Sequence, residues 1–198
     1  MEERAERTPP PVELHLATGP LRLAALKPTS PWALIIDGDL EVSGDIDLST
    51  EPYETSLFVV LGHVRARNLR FDGSAACFVS KSLVLSGGCF GSHGDEGAAL
   101  YAESLTARTL MLDGHTGANV ATLEGVAFGS EDWGLPQHFT SADRAADFFI
   151  AEALNAEGDL DQGRAWTLMT SGRDPFLPGA YELLRARKVE APGREKPR

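Results

Sequence analysis

A degenerate repeat of about 20 residues is the feature that most constrains how this chain can fold. The clearest copy, Leu34-Ile-Ile-Asp-Gly-Asp-Leu40, is followed by similar seven-residue copies at 58–64, 77–83 and 99–105, with weaker ones at 15–21 and 120–126. The copies end 19, 24, 19, 22 and 21 residues apart, and each end is aliphatic: Leu21, Leu40, Val64, Leu83, Leu105 and Val126. The position two residues further on is apolar in every copy: Leu23, Val42, Ala66, Leu85, Ala107 and Phe128. Two apolar columns with one period indicate a repeat architecture.

Few repeat architectures have units of this length. Leucine-rich repeats carry an Asn or Cys after their leucine ladder, and hexapeptide helices need a motif every six residues; the sequence has neither pattern. We therefore predict a mainly β protein, a single-stranded parallel β-helix of about six coils over residues 12–130, which we expect to be right-handed. Each coil would contain two or three short strands. Because one coil cannot bury its apolar face alone, stacking of neighbouring coils would supply the stability.

Residues 34–48 show the strand pattern most clearly. Apolar residues and glycines occupy the even positions and polar residues most of the odd ones, which is the alternation of a strand with one buried face. Gly38 and Gly44 are predicted to let the chain bend at the corners of the coil. The odd positions carry a row of acidic residues: Asp37, Asp39, Glu41, Asp45 and Asp47.

The composition changes to helix formers after residue 126. Thr140-Ser-Ala-Asp143 resembles a capping box, and an apolar stripe with helical spacing follows it: Ala146, Phe149, Ile150, Ala153 and Leu154. Further helices are predicted over 161–171 and 179–188. We expect residues 131–190 to form a helical cap over the open edge of the last coil. Residues 1–11 are expected to be a disordered or draping arm, and residues 191–198 a disordered tail.

The segment Gly38-Asp-Leu-Glu-Val-Ser-Gly44 and its echoes over residues 32–128 resemble bactofilins, the bacterial polymer-forming β-helix proteins. The chain is more similar to a loose group of small bacterial solenoid proteins that have the same Gly-Asp-Leu coils and a helical C-terminus, some of them thought to lie beside toxin genes. This resemblance implies a β-solenoid and, through the toxin-linked members, an inhibitory role. The helical residues after the solenoid are a departure from the bactofilin pattern. A helical cap at one end of the solenoid would block end-to-end polymerisation.

Charge and composition argue against several functional classes. The chain has 18 Lys+Arg and 29 Asp+Glu, a net charge of −11, whereas nucleic-acid binding needs a basic face. No apolar run reaches the roughly 18 residues of a membrane span, and the charged, Pro-rich start does not resemble a secretory signal. Two cysteines are too few for a disulfide framework. We therefore expect a cytoplasmic protein that binds neither nucleic acid nor membrane.

The sequence contains no familiar catalytic or metal-binding motif. The five histidines form no HxH, HExxH or Cys-paired cluster, and there is no nucleophile elbow, phosphate-binding loop or dinucleotide fingerprint. Cys77 and Cys89 fall near strand positions and are interpreted as small core residues. We predict no catalytic residue, no metal and no cofactor.

Three interpretations of the acidic row stay open: a solvated outer face, a protein-binding strip, and the paired carboxylates of a polysaccharide-cleaving β-helix. The repeat alignment places Glu41 beside Arg65 and Ser43 beside Arg67, so we expect cross-coil charge pairs. Trp133 follows the last coil, either as an interface anchor or as a plug of the solenoid end. The five acids and Trp133 are our candidate partner-binding residues.

Residues 1–180 contain 12 basic and 26 acidic side chains, a net charge of −14, which either serves solubility or attracts a basic partner. The first functional hypothesis is therefore a non-catalytic protein-binding solenoid, specifically an immunity-type inhibitor of a basic toxin domain. The alternatives are a bactofilin-like self-assembling structural protein and a carbohydrate-active β-helix enzyme. A homodimer through the C-terminal helices is also expected, because Phe148, Phe149 and Phe176 exceed what a small helical layer buries.

Overall fold

The chain forms a parallel β-solenoid followed by a short helical segment. A computed structural model describes residues 12–29, 31–50, 54–92, 98–113, 116–129, 138–139 and 143–187. The strands are β1 (Glu13–Thr18), β2 (Leu21–Leu23), β3 (Trp32–Asp37), β4 (Leu40–Val42), β5 (Ile46–Leu48), β6 (Thr55–Val60), β7 (Val64–Ala66), β8 (Leu69–Asp72), β9 (Ser74–Leu85), β10 (Gly88–Ser92), β11 (Ala99–Leu112) and β12 (Gly117–Phe128). All strand pairs in the described residues are parallel.

The solenoid has three faces. The first face stacks β1, β3, β6 and the first parts of β9, β11 and β12. The second face stacks β2, β4, β7 and the following parts of the same long strands. The third face stacks β5, β8, β10 and the last parts of β11 and β12. The first face is six strands deep and the third five, so the predicted parallel β-solenoid is confirmed, with about five full turns instead of six.

Apolar side chains from the three faces fill the lumen. Leu40, Val64, Leu83 and Leu105 are consecutive partners in the stack, and each is 1% exposed or less. The alternation over residues 34–48 is also confirmed, because Ile36, Leu40, Val42, Ile46 and Leu48 are all buried. Cys77 and Cys89 lie in this core too, and burial raises the pKa of both thiols.

The predicted register of the last copy is wrong by three residues. Leu105 pairs with Leu123, whereas Val126 pairs with Thr109 on the third face. The last coil is 18 residues long, since Ala99 pairs with Gly117 and Leu105 with Leu123, and a register shift between Thr106 and Thr109 reduces this offset to 17 residues on the third face. Phe128, predicted in the second lumen column, therefore pairs with Met111 and belongs to a different core.

The corner between the first and second faces depends on a glycine. Gly38 has φ +152°, and a Cβ at this position would lie 2.6 Å from the carbonyl carbon and oxygen of Gly19 in the coil below. The Gly19 N–H donates to the Asp37 carbonyl oxygen over 2.7 Å. The corners of successive coils thus touch through the backbone, and a side chain would separate them.

The C-terminal segment contains two helices, α1 (Gln162–Thr170) and α2 (Ala180–Ala186). Asp161 caps α1, since its side chain accepts a hydrogen bond from the Arg164 N–H. The helices predicted over 161–171 and 179–188 are therefore confirmed.

The helix predicted from the stripe over 146–154 is wrong, because that stretch contains only the short 3-10 turns Ala145–Asp147 and Ala151–Ala153. Its backbone is used in β-bridges instead: Phe149 pairs with Phe176, and Leu154 with Leu160. Of the predicted capping box, only Asp143 lies within the described residues.

The described part of the helical segment packs on the flank of the solenoid. The predicted cap over the open edge of the last coil stays a prediction, because residues 130–137 and 140–142 lie outside the described residues. The described part packs on the outer surface of the third face, where Phe90, Met111 and Phe128 point away from the lumen and form a second core with it. Side chains of the segment in this core include Phe148, Phe149, Phe176, Leu168 and Leu184. The three phenylalanines are at most 9% exposed, so the surplus that suggested dimerisation through these helices is already buried.

We expect Gly38→Ala to destabilise the protein by about 1–3 kcal/mol, because the new methyl group would press on the Gly19 backbone. Gly19→Ala is the matched control, since Gly19 also has a positive φ, +84°, but a Cβ there would meet nothing within 4 Å. Chemical denaturation of both variants measures the difference. If Gly19→Ala lowers the free energy of unfolding as much as Gly38→Ala or more, close stacking of the backbone at this corner is contradicted.

Candidate interaction surfaces

The row of five acids does not form one strip. The coil bends at Gly38 and Gly44, so the row passes over three faces. Asp37 ends β3 on the first face, Glu41 points outward from the second, and Asp47 points outward from the third. Asp39 and Asp45 lie at the two corners between them. Period-two alternation continues through both corners, so the sequence pattern could not reveal the bends.

Asp45 is neutralised by the next coil. Arg67 donates to it through Nε (2.9 Å to Oδ1) and Nη2 (2.5 Å to Oδ2), and the buried Asn68 donates over 2.8 Å. Asn68 also accepts a 2.8 Å hydrogen bond from the Gly88 N–H, so it links three successive coils. Burial alone would raise the pKa of Asp45. The hydrogen bonds from Arg67 and Asn68, together with the positive charge of Arg67, outweigh burial and lower the pKa. Arg67 was expected beside Ser43, and its ionic partner is instead Asp45.

Asp47 is also held by basic neighbours. Arg70 donates two hydrogen bonds to its carboxylate (2.9 and 3.0 Å), and Lys27 Nζ lies 3.1 Å from it. Ser49 Oγ donates over 2.5 Å. Burial acts to raise the pKa of Asp47, but these partners outweigh it and the pKa is lowered. Asp45 and Asp47 therefore connect coils and have little charge left for a partner.

Asp39 and Glu41 border a shallow depression of about 280 Å³ on the second face. Glu41 pairs with Arg22 over 3.0 Å and adjoins Arg65 on its other side, as the repeat alignment had placed it. His63 Nδ1 lies 2.6 Å from Ser82 Oγ, while Asp39 accepts a 2.8 Å hydrogen bond from the His63 backbone N–H. Since Asp39 contacts the backbone rather than the imidazole, these three residues do not form the relay of a serine hydrolase.

The described residues contain no cluster of three or more His, Cys, Asp or Glu side chains placed to hold a metal ion. Within the same residues, no helix is both long and apolar enough to span a membrane. Trp133, the remaining candidate, lies outside the part of the chain that the structure describes.

The outer surface of the first face carries an apolar patch that our sequence analysis missed. Two neighbouring columns point outward there, each with one residue per coil. We call these twelve residues the outer patch; its first column is Leu14, Ala33, Leu57, Ala76, Ala99 and Gly117, and its second is Leu16, Ile35, Val59, Phe78, Tyr101 and Asn119. None of the twelve is charged.

Large side chains of the outer patch reach solvent. Leu16 is 66% exposed, Phe78 40% and Tyr101 38%. The Phe78 and Tyr101 rings stack with centroids 4.6 Å apart and an interplanar angle of 3°. A signal for the patch exists in the sequence, because residues 32–36 and 57–61 are continuously apolar, which is typical of strands buried on both sides.

The other two faces present different outer surfaces. The outward column of the second face is largely polar or charged: Arg22, Glu41, Arg65, Val84, Thr106 and Glu124. The apolar part of the third face is covered by the C-terminal segment. Ten residues of the outer patch are exposed or half-buried, whereas Ala99 and Gly117 are buried. Among the described residues, these ten positions are the apolar sheet surface that reaches solvent.

We expect Asp47→Asn to lower the free energy of unfolding by about 1–2 kcal/mol at pH 7, because the neutral amide cannot pair with Arg70 and Lys27. A pKa lowered by folding stabilises the native state above the ordinary value of 3.8, and that contribution disappears as the pH falls through the folded value. The difference between wild type and variant should therefore shrink in acid. Denaturation across pH measures it, with the exposed Asp37→Asn as the control. An equal loss of unfolding free energy in Asp47→Asn and Asp37→Asn, or a loss in Asp47→Asn that persists in strong acid, would contradict a stabilising role of the Asp47 carboxylate.

Comparison with known proteins gave no match to this chain among protein families, curated proteins or solved structures. The resemblance to bactofilin-like solenoids therefore stays a prediction from the sequence. A function has to be inferred from the surfaces described above.

Proposed function

We propose that this protein is a non-catalytic protein-binding solenoid that docks another polypeptide on the outer patch. The observation that carries this proposal is the absence of charge from twelve neighbouring outward positions of a chain with a net charge of −11. Interface centres are depleted in charged residues and enriched in aromatic ones, and the stacked pair of Phe78 and Tyr101 fits that description. Apolar side chains exposed on several neighbouring strands are typical of an interaction site.

The acidic residues fit the edge of such an interface better than its centre. Asp37 and Glu103 are exposed and follow the outer patch along β3 and β11, at the corner with the second face. Charges at a rim steer association and select partners. A basic partner, such as the toxin domain of the immunity-type hypothesis, is therefore a second candidate for the patch, supported by these two acids and by the overall charge.

The other two hypotheses receive different support. Asp39 and Asp45 lie at opposite ends of β4, and Asp45 is held by Arg67, which argues against paired catalytic carboxylates. End-to-end self-assembly stays a prediction. In the described residues the helical segment packs on the flank of the solenoid, and His138 exchanges two hydrogen bonds with the backbone of Ala127 on β12.

Photo-cross-linking tests the proposal directly. A photoreactive amino acid at Val59, in the middle of the outer patch, should give a cross-linked adduct with another polypeptide in the native host. The control is the same substitution at Val84, an outward, half-buried valine on the second face. An adduct from position 59 alone supports docking on the patch. No adduct at either position, or equal adducts at both, would overturn it.

A further inference from the structure

We propose that the polypeptide on the outer patch is a second copy of this chain, so that two solenoids pack with their first faces together. This inference rests on the proposed function, because it names the partner for the same surface. It differs from a homodimer through the C-terminal helices, whose apolar side chains already pack against the third face.

The chemistry of the patch suits an identical partner. Both columns are uncharged, and in the described residues the charged side chains that follow the patch at its rim are Asp37, Lys81 and Glu103, so a basic protein would find little net negative charge there. A second outer patch offers apolar surface over the whole area. The third face offers a precedent in the same molecule. Its outward residues Phe90, Met111 and Phe128 are covered by apolar side chains of the C-terminal segment.

The two columns also differ in size in a complementary way. In four coils the second column carries the larger side chain and the first a small one. The small residue is partly exposed in two of them, Ile35 with Ala33 and Phe78 with Ala76, and buried in the other two, Tyr101 with Ala99 and Asn119 with Gly117. A two-fold axis parallel to the solenoid axis, between the columns, would place each large side chain over the small one of the partner. Such an isologous contact places the same patch of each copy against the other.

The same axis separates the acidic rims. Asp37 and Glu103 lie along one edge of the patch, and this rotation carries the partner's rim to the opposite edge. The alternative two-fold axis, parallel to the strands, would bring the two acidic rims together and cost electrostatic repulsion. Size complementarity and charge therefore favour the same arrangement.

The area of the patch suits a weak, reversible dimer. Six strands at about 4.8 Å spacing and two outward columns, which span about 13 Å along the strands, give a surface of roughly 380 Å² per copy. Two copies would bury roughly 760 Å², which is the size of a weak, transient interface. Packed sheets lie about 10 Å apart, close enough for the outward side chains to interdigitate. An interface of this size predicts an equilibrium that is visible at tens of micromolar.

Analytical ultracentrifugation of the full chain tests the inference. We expect mainly a particle of twice the 21.2 kDa chain mass at about 100 μM, which dissociates on dilution toward a Kd of about 10 μM. Phe78→Glu should raise that Kd at least about 30-fold, as expected when a hot-spot residue is lost. Val84→Glu, on the same strand but on the second face, should leave it unchanged. Leu16→Glu is a second patch variant at a highly exposed position, and circular dichroism checks that each variant is folded.

The outcomes separate this inference from the proposed function. A monomeric wild type, or equal weakening by Phe78→Glu and Val84→Glu, would overturn the dimer. If the wild type is monomeric but Val59 cross-links to a different protein, the partner is wrong while docking on the patch stands. If the wild type is monomeric and Val59 links only to residues 1–11 of its own chain, or to nothing, both proposals fail.

Discussion

Parallel stacking of equivalent residues in successive coils is the interaction on which the rest of this structure depends. Each lumen residue packs on its counterpart one coil away, as in the column of Leu40, Val64, Leu83 and Leu105. The backbone hydrogen bonds between strands set the distance between successive coils, and the absence of a side chain at Gly38 allows the corners to approach to that distance. Because each coil buries its apolar side only against its neighbours, lumen and ladder form together.

Stacking also explains how the outer surfaces acquire their character. A side chain that points outward has the equivalent residues of the adjacent coils as its neighbours, so a property repeated along the sequence becomes a stripe along the solenoid. The second face accumulates charge, and the third accumulates aromatic and sulfur side chains that the C-terminal segment covers. The first face accumulates apolar residues, and no described segment of the chain packs over them as the C-terminal segment packs over the third face. We therefore place the proposed binding function on the first face.

The sequence predicted what periodicity controls. Two apolar columns and the alternation over residues 34–48 were sufficient for the fold class and for the lumen. They failed where local geometry decides. The last coil has 18 residues instead of the expected 21, so Val126 lies on another face. Isolated β-bridges of Phe149 and Leu154 take the place of the predicted helix. The acidic row misled for a related reason, because alternation is blind to the corners that direct Asp37, Glu41 and Asp47 to different faces. Apolar residues on both sides of β3 and β6 were the overlooked sign of the outer patch.

The distance between two spin labels tests the stacked solenoid most directly. Arg22 and Glu124 are exposed in the outward column of the second face, five coil steps apart, although 102 residues separate them in the sequence. Cysteines at these positions can be labelled selectively, since Cys77 and Cys89 are buried. With labelled protein diluted into unlabelled protein, pulsed electron spin resonance should give a narrow distribution centred near 24 Å, five times the inter-strand spacing of about 4.8 Å. A broad distribution near the roughly 55 Å expected of a flexible chain of that length would contradict the account.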